Sequence, residues 1–193
     1  MSRKQEIQVE ALLMMKEVGF AGMTMRGLAR KLGIEAPSLY NHLKSKDELL
    51  IEVCSNIALQ LETQILEVND IYFNAIDKLK MAIQGHVNVL TKNIIASYVF
   101  VNEWRFLPSN EKEIFIQRRD QYEYEFRRIL ELGINEGNLQ FQDVKITSLT
   151  LLSALNSIVD WFHPDGDLSS EEVAKQLFQF VGSGIKNETE IHW

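Results

Sequence analysis

One stretch near the N-terminus, residues 24–50, restricts the possible folds more than any other part of the chain. Apolar residues spaced i, i+3, i+4 and i+7 in TMRGLARKLG predict a helix with one buried stripe. Thr24 can cap this helix, and Gly33 can end it in the left-handed conformation. Pro37 comes soon after, and proline suits the first turn of a new helix but no deeper position. Two helices joined by so short a turn predict a helix-turn-helix motif.

A more specific pattern runs through the same stretch. A helix ending in A-x-x-L-G is followed by a short helix containing LY-x-H, then by K-x-K and an acidic residue before leucine. The residues that carry this pattern are Ala29, Leu32, Gly33, Leu39, Tyr40, His42, Lys44, Lys46, Glu48 and Leu49. With them the chain resembles the N-terminal domain of the TetR family of bacterial repressors. It departs from the family pattern at Gly27, inside a helix, and at Glu35, where serine or threonine usually caps the second helix.

The resemblance implies that the second helix of the motif reads double-stranded DNA. The major groove admits a helix, and base edges there present distinct donors and acceptors. Leu39 and Leu43, four positions apart, are expected to pack this helix onto its neighbours. Outside such a motif, the remaining side chains would indicate only a solvated polar face. Within it, the predicted base-contacting residues are Ala36, Pro37, Ser38, Asn41 and His42.

Other residues around the motif are predicted to hold the phosphate backbone, which fixes the register of a protein on DNA without reading sequence. Tyr40 offers a phenol at the height of a phosphate. Lys44 and Lys46 follow the reading helix and place charge beside the backbone. Thr24 and Arg26 lie at the start of the preceding helix, where free backbone N–H groups add donors for an anion.

The distribution of charge fits this prediction better than the total charge does. The whole chain has a net charge of −7. Residues 1–50 nevertheless hold 8 Lys and Arg against 6 Asp and Glu, a charge of +2, whereas residues 51–193 hold 12 against 21, a charge of −9. Positive charge is therefore concentrated at the motif, which directs attraction to phosphate toward that end of the chain.

Helical periodicity continues through the rest of the chain without strand-like alternation. The composition, with 46% hydrophobic and 24% charged residues and only 3 Pro, favours a soluble protein of long helices. The first helix is predicted over 3–18, ending at Gly19, and Ser45 with Glu48 makes a capping box for a fourth helix reaching Val68. Further helices are predicted near 74–92, 94–106, 110–136, 143–162 and 169–185. The expected fold is all-α with about nine helices: a three-helix helix-turn-helix DNA-binding domain at 1–48 and a helical ligand-binding and dimerisation domain at 49–193.

Three segments of the second half carry a further resemblance: NEWRFLP, RRDQYEYEFRRILELGINEGN and ALNSIVDWFHPDGDLSSEEVA. They are similar to the ligand-binding domain in the branch of TetR regulators that includes fatty-acid and sterol degradation repressors. This resemblance implies a hydrophobic small-molecule effector, such as a fatty acid or its coenzyme A thioester, and a homodimer on a palindromic operator. The predicted ligand-binding residues are Phe100, Glu103, Trp104, Arg118, Arg119, Tyr122, Asn156 and Trp161.

These candidate ligand residues also have structural explanations. The aromatic side chains can simply pack the core, and the two arginines can form surface ion pairs with Asp120 or Glu123. Asn156 and Trp161 lie in an otherwise apolar helix, where an unpaired polar group is costly. They either line a pocket or bond across a dimer seam.

The last two predicted helices are the expected dimer interface. Helix 143–162 is apolar on two faces, and the core of one chain can bury only one of them. Helix 169–185 adds another apolar face and a glycine suited to close packing. Paired copies predict a four-helix interface that includes Leu151, Leu155, Ile158, Phe162, Leu177, Phe180, Val181 and Gly184.

Other classes of function lack support in the sequence. None of the four histidines, His86 included, has a Glu three residues before it or a second histidine within one turn, so no metal site is predicted. No phosphate loop, G-x-S-x-G or Gly-rich dinucleotide turn occurs, so neither catalysis nor a cofactor is predicted. The lone Cys54 is in phase with the apolar residues of its helix and is expected to be a small buried hydrophobe rather than a redox sensor. Without an export signal or an 18-residue apolar run, the expected location is the cytoplasm, with no membrane partner.

The preferred hypothesis is a ligand-responsive DNA-binding transcriptional regulator, a repressor that releases its operator when a hydrophobic effector binds. The alternative is an all-helical small-molecule carrier or enzyme with a vestigial helix-turn-helix. A reading helix without polar side chains, or a metal cluster, would favour that alternative, and the sequence shows the reverse. The effector stays open between an acyl compound and a lipophilic cation of the kind that a multidrug sensor binds.

Overall fold

Every regular element in the described part of the chain is a helix. The computed structural model describes residues 2–141 and 143–185, with the backbone alone for residues 183–185, and it contains no strand among them. The α-helices are α1 Arg3–Gly22, α2 Met25–Lys31, α3 Ala36–Tyr40, α4 Lys46–Asp70, α5 Ala75–Lys92, α6 Ile94–Glu103, α7 Ser109–Asn135, α8 Val144–Asn156, α9 Ile158–Trp161 and α10 Ser170–Ile185, with a 3-10 turn at Trp104–Phe106. The all-α prediction is confirmed.

The first helix boundaries have the local causes that the sequence predicts. The hydroxyl of Thr24 accepts a hydrogen bond from the N–H of Gly27 at 3.1 Å and so caps α2. Gly33 follows α2 with a φ of 66°, the left-handed conformation that glycine adopts without penalty. Ser45 accepts the N–H of Glu48 at 3.0 Å at the start of α4. These helix ends divide the segment into α2, α3 and α4, as the predicted helix-turn-helix requires.

Two helices deviate from their predicted bounds. The first helix is broken at Gly19, as predicted, where φ is 73° and ψ is 163°, but a further helical turn follows to Gly22 and is included in α1. The helix predicted at 143–162 is divided into α8 and α9 at Ser157. There the N–H of Asp160 bonds the Ser157 carbonyl three residues back, at 3.0 Å, in place of the four-residue spacing of an α-helix. No glycine or proline marks this break in the sequence.

The chain forms two compact units. Unit 1 comprises the residues up to Ala58 together with Asn93–Gln117, and unit 2 comprises Leu59–Lys92 together with the residues from Arg118 onward. Unit 1 therefore contains the whole helix-turn-helix and also α6. The domain boundary predicted between residues 48 and 49 stays a prediction.

α4 carries the buried stripe that the sequence predicts. By length and composition it could cross a membrane, but a core helix of a soluble protein passes the same test. Each residue of its predicted stripe is at most 8% exposed: Leu50, Val53, Ile57, Leu61, Ile65 and Val68.

Candidate functional site

α3 presents a polar face to solvent and buries its leucines. Leu39 has no exposed surface and Leu43 is 4% exposed, as predicted for residues that anchor the helix. Glu35, at the N-cap, makes no side-chain cap, in keeping with its departure from the family pattern. The residues predicted to contact DNA lie away from the core: Pro37, Ser38, Tyr40 and Asn41 are exposed, and Ala36 and His42 are half-buried.

Besides Tyr40, three of the predicted phosphate contacts are accessible. Thr24 and Arg26 are exposed at the start of α2. The side chain of Lys44 is 85% exposed and lies 3.8 Å from Glu48. Such exposed ion pairs contribute little free energy, so this ammonium can exchange Glu48 for a phosphate.

Lys46, unlike Lys44, makes hydrogen bonds within the protein. Its Nζ donates to the carbonyl oxygens of Phe20 at 2.8 Å and Met23 at 3.2 Å, and it lies 4.3 Å from the centroid of the Phe20 ring. These carbonyls belong to the end of α1, where a helix lacks internal partners for its carbonyl groups and attracts positive charge. The placement argues against the phosphate contact predicted for Lys46, because its ammonium already holds the turn between α1 and α2.

Glu103 holds the same turn from α6. Its Oε2 accepts the N–H of Phe20 at 3.0 Å, at the point where Gly19 interrupts α1. The Phe20 ring also stacks on Phe106, with ring centroids 5.4 Å apart. Glu103, predicted to bind ligand, is thus engaged in the internal structure of unit 1.

Two more of the predicted ligand residues lie in an aromatic cluster of unit 1. The ring of Phe115 stacks on Trp104 at 5.3 Å and meets Phe100 edge-on at 5.5 Å, measured between centroids. Phe100 and Phe115 are buried, and the half-buried Trp104 carries the Arg105 guanidinium 4.7 Å from its ring. Core packing, the alternative to ligand binding, accounts for these contacts.

The two predicted ligand-binding arginines of unit 2 are in ion pairs. Nε and Nη2 of Arg118 donate to the two carboxylate oxygens of Glu62 at 2.6 Å and 2.8 Å, and these hydrogen bonds raise the pKa of Arg118. Arg119 pairs with Asp120 at 3.1 Å on the surface. Surface pairing therefore describes Arg119, whereas the pairing of Arg118 with Glu62, 56 positions away, could not be predicted from sequence spacing.

A chain of hydrogen bonds runs through the interior of unit 2. Nε2 of Gln64 donates to the Tyr122 hydroxyl at 3.0 Å, and this hydroxyl lies 2.9 Å from Nδ1 of His86. The side chain of Asn156 hydrogen-bonds the His86 ring and raises its pKa. We call these four residues the polar core. Tyr122 and Asn156 were predicted to bind ligand, whereas Gln64 and His86 were missed because residues from different helices meet here.

Burial determines the protonation of the polar core. His86 is 1% exposed, and burial lowers its pKa to about 4, an effect that Asn156 opposes. Burial also raises the pKa of Tyr122, against the hydrogen bond from Gln64. Both groups are therefore uncharged at neutral pH. The Tyr122 O–H then donates to Nδ1, and this network assigns the ring proton of His86 to Nε2.

Oε1 of Gln64, in the polar core, has no hydrogen-bond partner within residues 2–141 and 143–185. An unpaired buried polar group costs about 1–3 kcal/mol, and such groups are rare enough in native proteins to require an explanation. Gly85 leaves space for the Gln64 side chain, because an added Cβ would lie 2.0 Å from Oε1. The polar core is therefore tightly packed, but not every polar atom in it has a hydrogen-bond partner.

Gln64 also lies on the wall of a groove in unit 2. The groove has a volume of about 860 Å³ and runs between α4, α5 and the start of α10. Acidic side chains outnumber basic ones along it. Its lining residues are Gln64, Glu67, Val68, Ile71, Phe73, Asp77, Lys80, Met81, Gln84, Gly85, Asn88, Ser170 and Glu171.

The predicted dimer residues separate into buried and exposed sets. Leu151, Leu155, Ile158 and Phe162 are at most 9% exposed, because the chain's own core covers them. This burial argues against their predicted place in an interface. On α10, Phe180 is 76% exposed, Leu177 and Val181 are half-buried, and Gly184 lies where only the backbone is described. The exposed apolar residues of α8 are instead Ile146 and Leu149, and Trp161 of α9 is half-exposed.

Two remaining predictions concern Cys54 and metals. Cys54 is 2% exposed, and burial raises its pKa to about 12, which keeps the thiol protonated. The prediction of a small buried hydrophobe is confirmed. In the part of the chain that the structure describes, no group of three or more His, Cys, Asp or Glu side chains is arranged to hold a metal ion.

Both ends of the chain match known protein families. Residues 8–53 match the family model described as bacterial regulatory proteins, tetR family, and residues 73–185 match the model described as tetracyclin repressor-like, C-terminal domain. The chain belongs to the TetR family. As a TetR-family protein it is a DNA-binding transcriptional regulator and not an enzyme, so the alternative of a vestigial motif is set aside.

Individual relatives support this assignment over nearly the full length of the TetR-family chain. The HTH-type transcriptional repressor KstR2 of Mycobacterium tuberculosis is 25% identical over 189 residues, which cover 97% of this chain and 94% of the relative. The structure of KstR2, a ketosteroid transcriptional regulator, aligns with a TM-score of 0.87 at 24% identity, covering 97% of this chain and 96% of that one. AibR in complex with isovaleryl coenzyme A and operator DNA aligns with a TM-score of 0.75 at 21% identity, covering 93% and 97%. These two structural alignments show the shared fold.

Proposed function

We propose that this TetR-family protein is a homodimeric repressor that holds a palindromic operator and releases it when a hydrophobic small molecule binds unit 2. The exposed polar face of α3, anchored by the buried Leu39, is the observation that carries the proposal. One helix-turn-helix contacts too few base pairs for useful specificity, and a two-fold dimer supplies the second half-site. The relative KstR2 is named a repressor, which supports the same sign of regulation here.

Exposed apolar side chains on α8 and α10 support the dimer. Phe180 is 76% exposed, Ile146 65% and Leu149 48%, and large apolar residues on helix surfaces favour protein contacts. Sedimentation at micromolar concentration should give twice the chain mass of 22.3 kDa. Phe180→Asp should shift the protein toward monomer, while Phe73→Asp, at a site 51% exposed outside these helices, should not. A single 22.3 kDa species for the unaltered protein would contradict the dimer.

A hydrophobic acid or its coenzyme A thioester is the proposed effector class. In the polar core, His86 lies 5.8 Å from the Tyr122 ring and 6.5 Å from the Phe126 ring, and small-molecule sites commonly combine aromatic residues with a few polar groups. The complex of AibR with isovaleryl coenzyme A shows that a protein of this fold binds such a thioester. The test adds long-chain acyl thioesters, free fatty acids and lipophilic cations to a preformed complex with an operator selected from random duplexes. A coupling of about 1–3 kcal/mol would lower operator affinity roughly 5- to 150-fold.

A lipophilic cation is the second candidate effector, and the groove of unit 2 favours it. Glu67, Asp77 and Glu171 line this groove together with a single lysine, Lys80. The excess of carboxylates attracts positive charge and repels the phosphates of coenzyme A. Operator release by cations alone would contradict the acyl hypothesis and identify a multidrug-type sensor.

A further inference from the structure

We infer that the groove of unit 2 binds a protonated amine that carries N–H groups and an apolar chain. The inference rests on the lipophilic cation proposed above as the second candidate effector, and it specifies which cations the groove accepts. It follows from the shape of the groove, from carboxylates on its walls that form no ion pair, from the apolar residues beside them and from the small number of aromatic rings.

The groove has the size and shape of a site for an elongated small molecule. Its volume of about 860 Å³ lies within the range typical of small-molecule sites. Asp77, Met81, Gln84 and Asn88 recur every three or four residues, so they line one face of α5. This face extends over eleven residue steps, about 16 Å at the rise of an α-helix. Residues of α4 and of the start of α10 complete the walls.

Two carboxylates on these walls are available to a cation. The ion pairs in the described part of unit 2 use other carboxylates: Glu62, Asp120, Glu123 and Glu125. Glu67 of α4 and Glu171 of α10 are exposed and take part in none of these pairs. Asp77 is a third acidic residue of the groove, and Lys80 is the one basic residue among its described lining residues. The walls therefore carry an excess of two negative charges, which attracts a cation.

Apolar side chains provide a surface for the rest of the ligand. Val68, Ile71 and Met81 line the same groove. Phe73 joins them and is 51% exposed. Covering such a ring with an apolar group removes apolar surface from water, which is favourable. The complementary ligand is therefore amphipathic, with a cationic head for the carboxylates and an apolar chain for these four side chains.

The lining residues favour an ammonium group with N–H bonds over a quaternary ammonium group. Quaternary ammonium ligands are typically recognised by cages of aromatic rings. Phe73 is the one aromatic residue among the described residues that line this groove. Glu67 and Glu171 instead offer carboxylate oxygens, which accept hydrogen bonds. A charge-assisted N–H···O bond is roughly twice as strong as a neutral one, and a quaternary ammonium group has no N–H with which to form it.

The first experiment locates the ligand with the methyl group of Met81 in the full-length protein. The other five methionines lie within residues 1–25, in unit 1, so Met81 is the one methionine of unit 2. NMR of protein labelled at the methionine methyl carbons therefore reports on the groove separately, and Met81→Leu assigns the resonance. Octylamine should shift the Met81 resonance to saturation and leave those of unit 1 unchanged. Binding without a shift of Met81, or no binding at all, would overturn the inference.

The second experiment compares ligands that share one eight-carbon chain. Isothermal titration calorimetry with octylamine, octyltrimethylammonium and octanoate varies only the charged group. Octylamine should bind at least fivefold more tightly than octyltrimethylammonium, and octanoate should not bind. Equal affinity for the two cations would contradict the selection of N–H groups. A shift of the Met81 resonance by octanoate would contradict the selection of positive charge.

The third experiment tests the two carboxylates. Glu67→Gln combined with Glu171→Gln keeps the size of both side chains and removes both charges. This double variant should weaken octylamine binding about fivefold, the effect expected for two exposed charge pairs. Glu131→Gln combined with Asp160→Asn, at exposed carboxylates of the same unit outside the groove, is the matched control and should leave the affinity unchanged. An equal loss in both double variants would show that the overall charge of unit 2, and not the groove, attracts the amine.

The outcomes separate this inference from the proposed function. Binding of octylamine at Met81 without operator release supports the groove as an amine site and contradicts a cationic effector acting there. Operator release by octylamine that leaves the Met81 resonance unshifted supports a cationic effector and overturns the groove as its site.

Discussion

α3 and the polar core differ in where their polar side chains lie. On α3 the polar groups face solvent, and the buried Leu39 fixes their position without touching them. In the polar core the polar groups are themselves buried and hold one another through Gln64, Tyr122 and His86. An exposed surface can lose one polar side chain without affecting stability, whereas the polar side chains of a buried network contribute to folding itself.

Leu39 and Tyr40 are neighbours with opposite roles, so substituting each should separate stability from DNA binding. Leu39→Ala should lower the free energy of unfolding by about 2–5 kcal/mol, because it leaves a cavity at a site with no exposed surface. Tyr40→Ala should leave the melting temperature nearly unchanged and weaken specific DNA binding about tenfold by loss of a phosphate contact. Thermal unfolding and fluorescence anisotropy provide the two readouts. Equal destabilisation by both variants would show that α3 is not divided into a buried and a reading face.

The burial of His86 should make stability dependent on pH. Its pKa is lowered from 6.5 to about 4, so the unfolded chain binds a proton that the folded state excludes. Stability is therefore lost as pH falls through 6.5 toward 4, by roughly 2 kcal/mol between pH 7 and pH 5. Urea unfolding of the unaltered protein and of His86→Phe at both values measures this contribution. A pH dependence that is the same in both proteins would place the titrating group elsewhere.

Lys44 and Lys46 should differ although they are two residues apart. Lys46→Ala should lower the free energy of unfolding by about 1–2 kcal/mol, since two carbonyl groups at the end of α1 lose a charged donor. Lys44→Ala should preserve stability and reduce the salt dependence of operator binding by about one counterion. Titration of the operator at several salt concentrations distinguishes them. An unchanged salt slope for Lys44→Ala, together with a reduced slope for Lys46→Ala, would restore the phosphate role of Lys46.

The pair formed by Arg118 and Glu62 should give the smallest effect. Its side chains are 26% and 24% exposed, and a double-mutant cycle should show a coupling of roughly 1 kcal/mol or less. If the pair is structural, Arg118→Gln and Glu62→Gln should change the effector response equally little. A large loss of response for Arg118→Gln alone would instead identify Arg118 as a ligand contact.

The reading motif could be predicted from the sequence because its causes are local. Thr24, Gly33 and Pro37 each act on the backbone within a few residues, and the spacing of apolar residues predicts which face of a helix is buried. Periodicity alone did not show that the chain itself buries the face of helix 143–162 assigned to the interface, together with Leu152 and Val159 of the other apolar face. Burial on both faces depends on the neighbouring helices.

The polar core could not be predicted, because its residues meet only through packing. Gln64 and Tyr122 are 58 positions apart, and no spacing rule connects them to His86. Lys46 is an intermediate case. The motif predicts that Lys46 follows α3. It does not predict that the Lys46 ammonium donates to two backbone carbonyl groups, because these belong to the turn of α1 that follows Gly19.

Gly85 has an evolutionary consequence. Alanine, the smallest alternative, would add a carbon 2.0 Å from Oε1 of Gln64 and force that amide away from Tyr122. One codon change can therefore disrupt the polar core while every side chain of α3 stays the same. After gene duplication, the interior of unit 2 can diverge between two copies while their helix-turn-helix motifs remain identical.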